Sequence, residues 1–413
     1  MSSQSSFKQT SVGKIPEEWK TTRLGEYVKI TTGYAFNSSK FGEEGLPLIR
    51  IRDIDKNLTE TNYSGEYDEE YLVDSGSILV GMDGEFNAHI WRGPKGLLNQ
   101  RVCQIESKSP NELDNKFLYY IIKKPLKMVE HQIGQTTVKH LSKKHIESLK
   151  IPLPPLLEQE KIGEVLSTVD EAIQKVDEAI EKTERLKKGL MQKLLTEGID
   201  HEEFKETPIG KVPEEWKVFE IGKIADVEGG KRVPKGEKLT DVETPYPYIR
   251  VVDFESGGIN DKNMKYISSK VREKIKKYTI SSDDVYLSIA GTIGLAGLVP
   301  EKLDGANLTE NAVKLCNLKN VEKEFLAYFL NSEVIQRQIE AYIGIATQPK
   351  LAIHRIKKLK VSLPSLSEQR KIAEILSTVD EKLELERERK KRLERIKKGL
   401  MGNLLTGKVR VKV

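Results

Sequence analysis

The chain has 413 residues, enough for two or three domains at roughly 100–200 residues each. Hydrophobic residues make up 38% and charged residues 32%, a soluble balance with charge to spare for long exposed helices. No run of about 18 apolar residues occurs, the opening MSSQSSFKQT is polar, and the net charge is +5; a membrane span and a secretory signal are not expected, and a polyanionic partner is permitted but not demanded.

Cys103 and Cys316 are the two cysteines, too few for a disulfide framework, and they point to a reducing cytoplasm. From the N-terminus, a polar stretch ends in GKIPEEWK at 13–20. A centre follows, at about 30–135, in which short β-like runs such as 48–51 and 77–80 alternate with Gly-rich turns. NKFLYYIIKK at 115–124 reads as a helix start. LPPL at 153–156 is a stop, since proline disfavours helix in the preceding residue and begins a new element well. After it, Ile162, Leu166, Val169, Ile173, Val176, Ile180, Thr183, Leu190 and Leu194 keep a 3-4 spacing, interrupted at Lys187.

The order then begins again. GKVPEEWK stands at 210–217, IRVVDF at 249–254 echoes IRIRDI at 49–54, and β-like runs at 248–252 and 285–289 precede the helix start KEFLAYFLNS at 323–332. KLKVSLPSLSEQRKIAEILSTVDEKL at 358–383 echoes SLKIPLPPLLEQEKIGEVLSTVDEAI at 148–173, and RIKKGLMGNLLT at 395–406 echoes RLKKGLMQKLLT at 185–196. Ile372, Leu376, Val379, Leu383, Leu393, Leu400 and Leu404 continue the second seam, with Glu386, Lys390 and Lys397 as charged interruptions. The offset grows from 197 (Gly13 to Gly210) to 210 (Arg185 to Arg395), so the second unit carries about 13 extra residues. Identity is concentrated at the ends of each unit, while the centres have diverged. The similar frames do one structural job twice; the centres recognise two different things.

Each seam runs about 38 residues, or about 57 Å at 1.5 Å per residue, without internal proline. A single apolar seam flanked by Glu, Lys and Arg needs a mate. A helix packed only on its own domain is the plainer alternative. The two helices are the obvious mates, in antiparallel pairing with pseudo-two-fold symmetry. The segment 197–217 resembles the chain's own start at 5–20, so the N-terminus is expected where the second helix ends. The fold class is mixed α/β, or α+β. Its parts are a globule over 1–157, a helix over 158–198, a second globule over 199–366 and a second helix over 367–413.

Catalytic chemistry finds little footing. The histidines His89, His131, His140, His145, His201 and His354 do not pair with cysteine or carboxylate at a metal-ligand spacing. His140 and His145 correspond to Lys350 and Arg355, which argues against a shared catalytic role and for polar or nucleic-acid-facing surface. GNLLTGK at 402–408 has Val409 where a phosphate loop needs Ser or Thr, and no strand precedes it. GTIGLAG at 291–297 is not a dinucleotide fingerprint. LPPL lacks the polar residue that an amino-methyltransferase sets before its double proline. No catalytic residue, metal ligand or cofactor site is assigned.

The centres instead hold residue types suited to reading DNA. Arg and Lys neutralise phosphate or reach guanine O6 and N7, Asn and Gln can bond adenine, and Gly-led loops let backbone N–H groups approach phosphate. In the first centre the candidates are Tyr34, Asn37, Lys40, Arg50, Arg52, Asn87, Arg92, Gln100, Arg101, Gln135, Thr137 and Lys139. In the second they are Lys231, Arg232, Lys235, Arg250, Thr292, Asn311, Thr347, Gln348 and Lys350. Any one such loop could be an ordinary solvated turn. The argument lies in their recurrence at matched places.

The paired LPPLLEQEKIGEVLSTVDEAI and LPSLSEQRKIAEILSTVDEKL, the twin GKIPEEWK and GKVPEEWK, and the globule–helix–globule–helix order resemble the specificity subunit of type I restriction-modification systems. The resemblance covers nearly the whole chain. It implies two target recognition domains held apart by an antiparallel coiled coil, each reading one half of a split DNA sequence. It implies no activity in this chain, two modification subunits that methylate adenine with S-adenosylmethionine, and two restriction subunits that use ATP and Mg. Glu158, Gln159, Glu368 and Gln369 are the expected partner-interface residues, although acidic charge at a helix N-terminus also favours the macrodipole. A coiled-coil adaptor with two protein-binding heads, and a stand-alone DNA enzyme, are the alternatives.

Overall fold

The computed structural model describes residues 6–133, 139–255, 257–343 and 350–412. They divide into Met1–Asp177 with Glu388–Val413, here unit 1, and Glu178–Arg387, unit 2. The sequence that recurs is the sequence that closes each unit. In unit 1, strand Lys20–Arg23 pairs antiparallel with Lys150–Leu153, so the two ends of the first repeat meet. In unit 2, Lys217–Glu220 pairs in the same way with Lys360–Leu363. Trp19 and Trp216, the last apolar residues before these strands, are fully buried. Their apolar rings leave water and stabilise each unit.

Between those ends, unit 1 carries a four-stranded antiparallel sheet in the order Ala88–Ile90, Ile78–Gly81, Val102–Ser107, Val28–Thr32. Helices Asn115–Ile121 and Lys123–Gln132 supply Phe117, Leu118, Ile121 and Leu126 to a core shared with Ile30, Ile78, Val80 and Ile105. Unit 2 repeats the sheet as Ala296–Leu298, Val285–Ser288, Ala312–Cys316, Asp226–Gly229. Lys323–Leu330 and Glu333–Ile343 are its helices. A second sheet of shorter strands accompanies each, five-stranded in unit 1 and four-stranded in unit 2. There Gly96–Leu98 runs parallel to Leu46–Ile49, and Ala306–Leu308 parallel to Pro247–Ile249. The longer centre of unit 2 includes helix Ser269–Ile275, where unit 1 has the single 3-10 turn Glu69–Tyr71.

Both seams are helical, over Leu156–Leu194 and Leu366–Leu404, each of 39 residues. Each begins directly after the proline stop. In unit 1, Ile162 and Leu166 of the first helix share a core with Leu404 and Leu405 that follow the second. In unit 2, Leu194 and Leu195 share a core with Ile372 and Leu376. The charged seam positions Lys187, Lys390 and Lys397 are paired across the helices. Lys397 reaches Asp170 at 2.5 Å and Lys390 reaches Asp177 at 2.7 Å in unit 1; Lys187 reaches Asp380 at 2.5 Å and Arg387 reaches Glu184 at 2.8 Å in unit 2. Residue numbers rise on one helix as they fall on the other, so the pairing within each unit is antiparallel. Lys187, Lys390 and Lys397, as interruptions in the heptads, are therefore ion-pair rungs. Among the described residues no helix is long and apolar enough to cross a membrane.

The first frame and the segment after the second helix meet in unit 1. Leu400 and Met401 pack on the core that holds Ile15 and Trp19. Arg410 bonds Glu158 at 2.5 and 2.8 Å and Glu18 at 2.9 Å. The second helix thus ends beside the first frame, as the resemblance between 5–20 and 197–217 predicts.

Candidate nucleic-acid interface

One end of each large sheet gathers loops from four parts of the sequence. In unit 1, Tyr34 N–H donates to Leu98 O, Gln100 N–H to Tyr34 O, Met82 N–H to Arg101 O, and Leu141 N–H to Met82 O. In unit 2, Lys231 N–H donates to Leu308 O, Ile289 N–H to Asn311 O, and Leu351 N–H to Ile289 O. Glycine permits the crossing. A Cβ on Gly33 would stand 2.0 Å from Asn99 O, and one on Gly230 would stand 2.1 Å from Thr309 O. The scaffold is therefore the same twice, while its side chains differ. Tyr34 stands where Lys231 does, Gln100 where Glu310 does, and Asp83 where Ala290 does. His140 stands where Lys350 does, each in a bridge to the neighbouring loop.

Electrostatics bind the exposed cations to carboxylates. Asp83, half-buried, takes Arg101 on one oxygen and His140 Nδ1 on the other, the latter at 2.7 Å. Burial pushes the Asp83 carboxyl up, but the hydrogen bonds from His140 and Arg101 outweigh it and hold the group below the ordinary carboxylate range. In unit 2, Arg232 donates to Glu310 Oε1 at 2.5 Å, and Lys350 Nζ donates to the Glu310 carbonyl at 3.3 Å. Burial raises the Glu310 carboxyl and Arg232 lowers it further, with a net fall. Lys139 and Lys127 reach Glu130 at 3.4 and 3.0 Å. The Phe86 N–H, first, and then the lysines hold Glu130 at about 2.

Not every sequence candidate lies on this face. Tyr34, Gln100, Arg101 and Lys139 come together in unit 1, and Lys231, Arg232, Asn311 and Lys350 in unit 2. Arg50 and Arg250 are not joined to this face by any of these contacts. Both are turned inward onto buried carboxylates. Arg50 Nε meets Asp53 at 3.5 Å and its terminal nitrogen meets Thr61 at 2.7 Å. Arg250 meets Asp253 at 3.0 and 2.6 Å. An arginine immediately after a strand, followed by Asp three later, is a turn clamp in both repeats. Arg52 is exposed beside Glu60. Arg92 lines a groove of about 530 Å³ against the long helices, with Tyr119 and Lys397. Asn37 accepts from Ser39 N–H in a local turn, and Asn87 donates to Glu85. Lys40, Lys235 and Thr292 are exposed. Gln135, Thr137, Thr347 and Gln348 lie outside the described residues.

Comparison with known proteins gives this arrangement a family. A model described as the type I restriction modification DNA specificity domain matches residues 16–184 and again 213–395. The chain belongs to that specificity family. Each match runs from a frame, through a centre, into a long helix, so the family domain recurs once per repeat. The MjaVIII specificity subunit of Methanocaldococcus jannaschii is 28% identical over 98% of this chain and 96% of its own length. The EcoBI specificity subunit of Escherichia coli is 29% identical over 87% and 78%. The crystal structure of a type I restriction-modification S subunit from M. genitalium shares the fold at a TM-score of 0.63. It covers 94% of this chain and 96% of its own, with 18% identity.

The repeated Leu-Pro-x-Leu-x-Glu-Gln segment has an internal task in both units. Gln159 donates to Glu112 O and Pro154 O and accepts from Asp114 N–H, at 2.9–3.0 Å. Gln369 donates to Asn320 O and Pro364 O and accepts from Glu322 N–H. Glu158 is held by Arg410 and the Trp19 indole N–H at 3.0 Å. Glu368 is held by Ile199 N–H and His201. Glu158, Gln159 and Gln369 are 1–2% exposed, which leaves no area for a second chain. A second fastening was not legible at all. Tyr120 donates to Asp170 and Tyr328 to Asp380, at 2.8 and 2.9 Å, so each carboxylate joins globule to both helices. Asp83 and Glu310 are members of the loop face that sequence reasoning does not single out, while His140 is expected there only as polar or nucleic-acid-facing surface. Asp83 and His140 are 57 positions apart, and no local pattern links them.

Proposed function

We propose that this chain is the DNA sequence-specificity subunit of a type I restriction-modification enzyme. Each unit reads one half of a bipartite target in double-stranded DNA, and the coiled coil sets the spacer between the halves. The observation that carries this reading is the loop scaffold built twice with different side chains. Such a pair suits two readers of one polymer with different half-sites. The reading segments are 1–157 and 199–366, and the stems are 158–198 and 367–413. The chain itself is non-catalytic and cytoplasmic. It recruits two modification subunits, which methylate adenine with S-adenosylmethionine, and two restriction subunits, which use ATP and Mg. Exposed Lys on the loop faces supplies phosphate contacts, so affinity falls with salt.

The test is a swap. Residues 20–150 are replaced by the corresponding centre of another family member, and methylated adenines are sequenced in a host that carries the partner subunits. One half-site changes and the other stays. A change in both halves, or in neither, refutes independent readers. Four residues inserted in each helix, after Lys182 and at the facing position, add about 6 Å. The spacer then grows by one or two base pairs at about 3.4 Å each.

A further inference from the structure

Five described non-glycine residues lie at positive φ. Asn57, Asp200, Asn317 and Asn320 are of the types that tolerate it. Arg101 is the exception, at φ +71°. Its Cβ raises the energy of that conformation, and the alternative Gly would remove the strain. The backbone there is fixed from both sides, because Arg101 O accepts from Met82 N–H and Gln100 N–H donates to Tyr34 O. The side chain that this strain retains is not buried. The Arg101 side chain is 59% exposed, while that of its partner Asp83 is 14% exposed. Asp83 takes one terminal nitrogen of Arg101 and gives its other oxygen to His140.

We infer that Arg101 reads a guanine in the half-site of unit 1 and that Asp83 is its positioning residue. The inference rests on the DNA-reading function proposed above. A guanidinium has five N–H donors in a rigid fork, and guanine presents O6 and N7 as a matching pair of acceptors in the major groove. Held by one nitrogen, the fork is oriented before the duplex arrives, so less side-chain freedom is lost on binding. The carboxylate has a second effect. It repels phosphate, so Arg101 is a poor anchor for backbone contact alone and favours a base edge. Arg232 on Glu310 is the corresponding pair in unit 2, built from different positions on the same scaffold.

The test uses the full chain in complex with its modification subunits, at one fixed salt concentration. Binding is measured to the cognate duplex and to duplexes altered at each base pair of both half-sites. Wild-type discrimination at both half-sites establishes the reading itself; its absence sinks that reading and this inference together. With discrimination present, Arg101→Gly is expected to lower it about tenfold or more at a single G·C pair of one half-site. The other half-site is unchanged, and the thermal midpoint is not lowered, because strain has been removed. Asp83→Asn gives a smaller loss at the same base pair, with non-cognate binding equal or tighter, and adds nothing in the double variant. Equal weakening for every sequence would make Arg101 a phosphate contact and overturn the inference. So would unaltered discrimination, or an Asp83→Asn effect at a different base pair.

Discussion

Replacing Asp170 by Asn removes a charge that two groups share. Tyr120 donates to one oxygen at 2.8 Å and Lys397 reaches the other at 2.5 Å. Asp170 is 15% exposed and Lys397 25%, so the pair is screened by solvent only in part. A hydrogen bond to a charged acceptor contributes about 1.5–3 kcal/mol. Breaking a buried ion pair costs about 3–5 kcal/mol, and partial exposure lowers that to about 2. Asp170→Asn therefore costs unit 1 about 3 kcal/mol and Tyr120→Phe about 1.5. In the Asn background, Tyr120→Phe costs about 0.5, which leaves a coupling of about 1 kcal/mol. The assay is urea unfolding of the full chain with hydrogen exchange at 28–32 and 102–107 as reporters of unit 1. Additivity within about 0.5 kcal/mol would refute the shared-carboxylate argument. Equal loss of protection in unit 2 would refute it as well, and Asp380→Asn with Tyr328→Phe provides the mirror experiment.

Other consequences can be measured in the same variants' framework. Glu130 is held at about 2 in the folded chain, below the ordinary value near 4.3; its contribution is full above that ordinary value and is lost as pH falls from about 4 towards 2, so Glu130→Gln should flatten the acid limb of unit 1's stability, read by circular dichroism. Gln159→Leu and Gln369→Leu leave buried backbone groups unpaired and cost their own units about 2–4 kcal/mol in urea midpoints. Arg410→Ala strands Glu158 and costs about 3 kcal/mol, and adding Glu158→Gln restores part of that loss; a double variant no more stable than Arg410→Ala would show that the pair is not what fastens the C-terminal segment.

The sequence alone determined the periodic and repeated features of this protein. A 3-4 apolar spacing over 38 residues has few outcomes other than a paired helix, and a proline stop fixes where it starts. The twin frames foretold units of the same build, because identical sequence ends must satisfy identical neighbours. What only the tertiary structure decided was which polar side chain meets which. Lys390 and Lys397 read as breaks in a seam until Asp177 and Asp170 stood opposite them. Arg50 and Arg101 were equal candidates by residue type; burial took one for Asp53 and left the other exposed at a strained corner beside Asp83. Apolar burial follows local period, which a sequence displays. A hydrogen bond or ion pair depends on a few tenths of an ångström between residues far apart in the chain, and only the folded backbone supplies that.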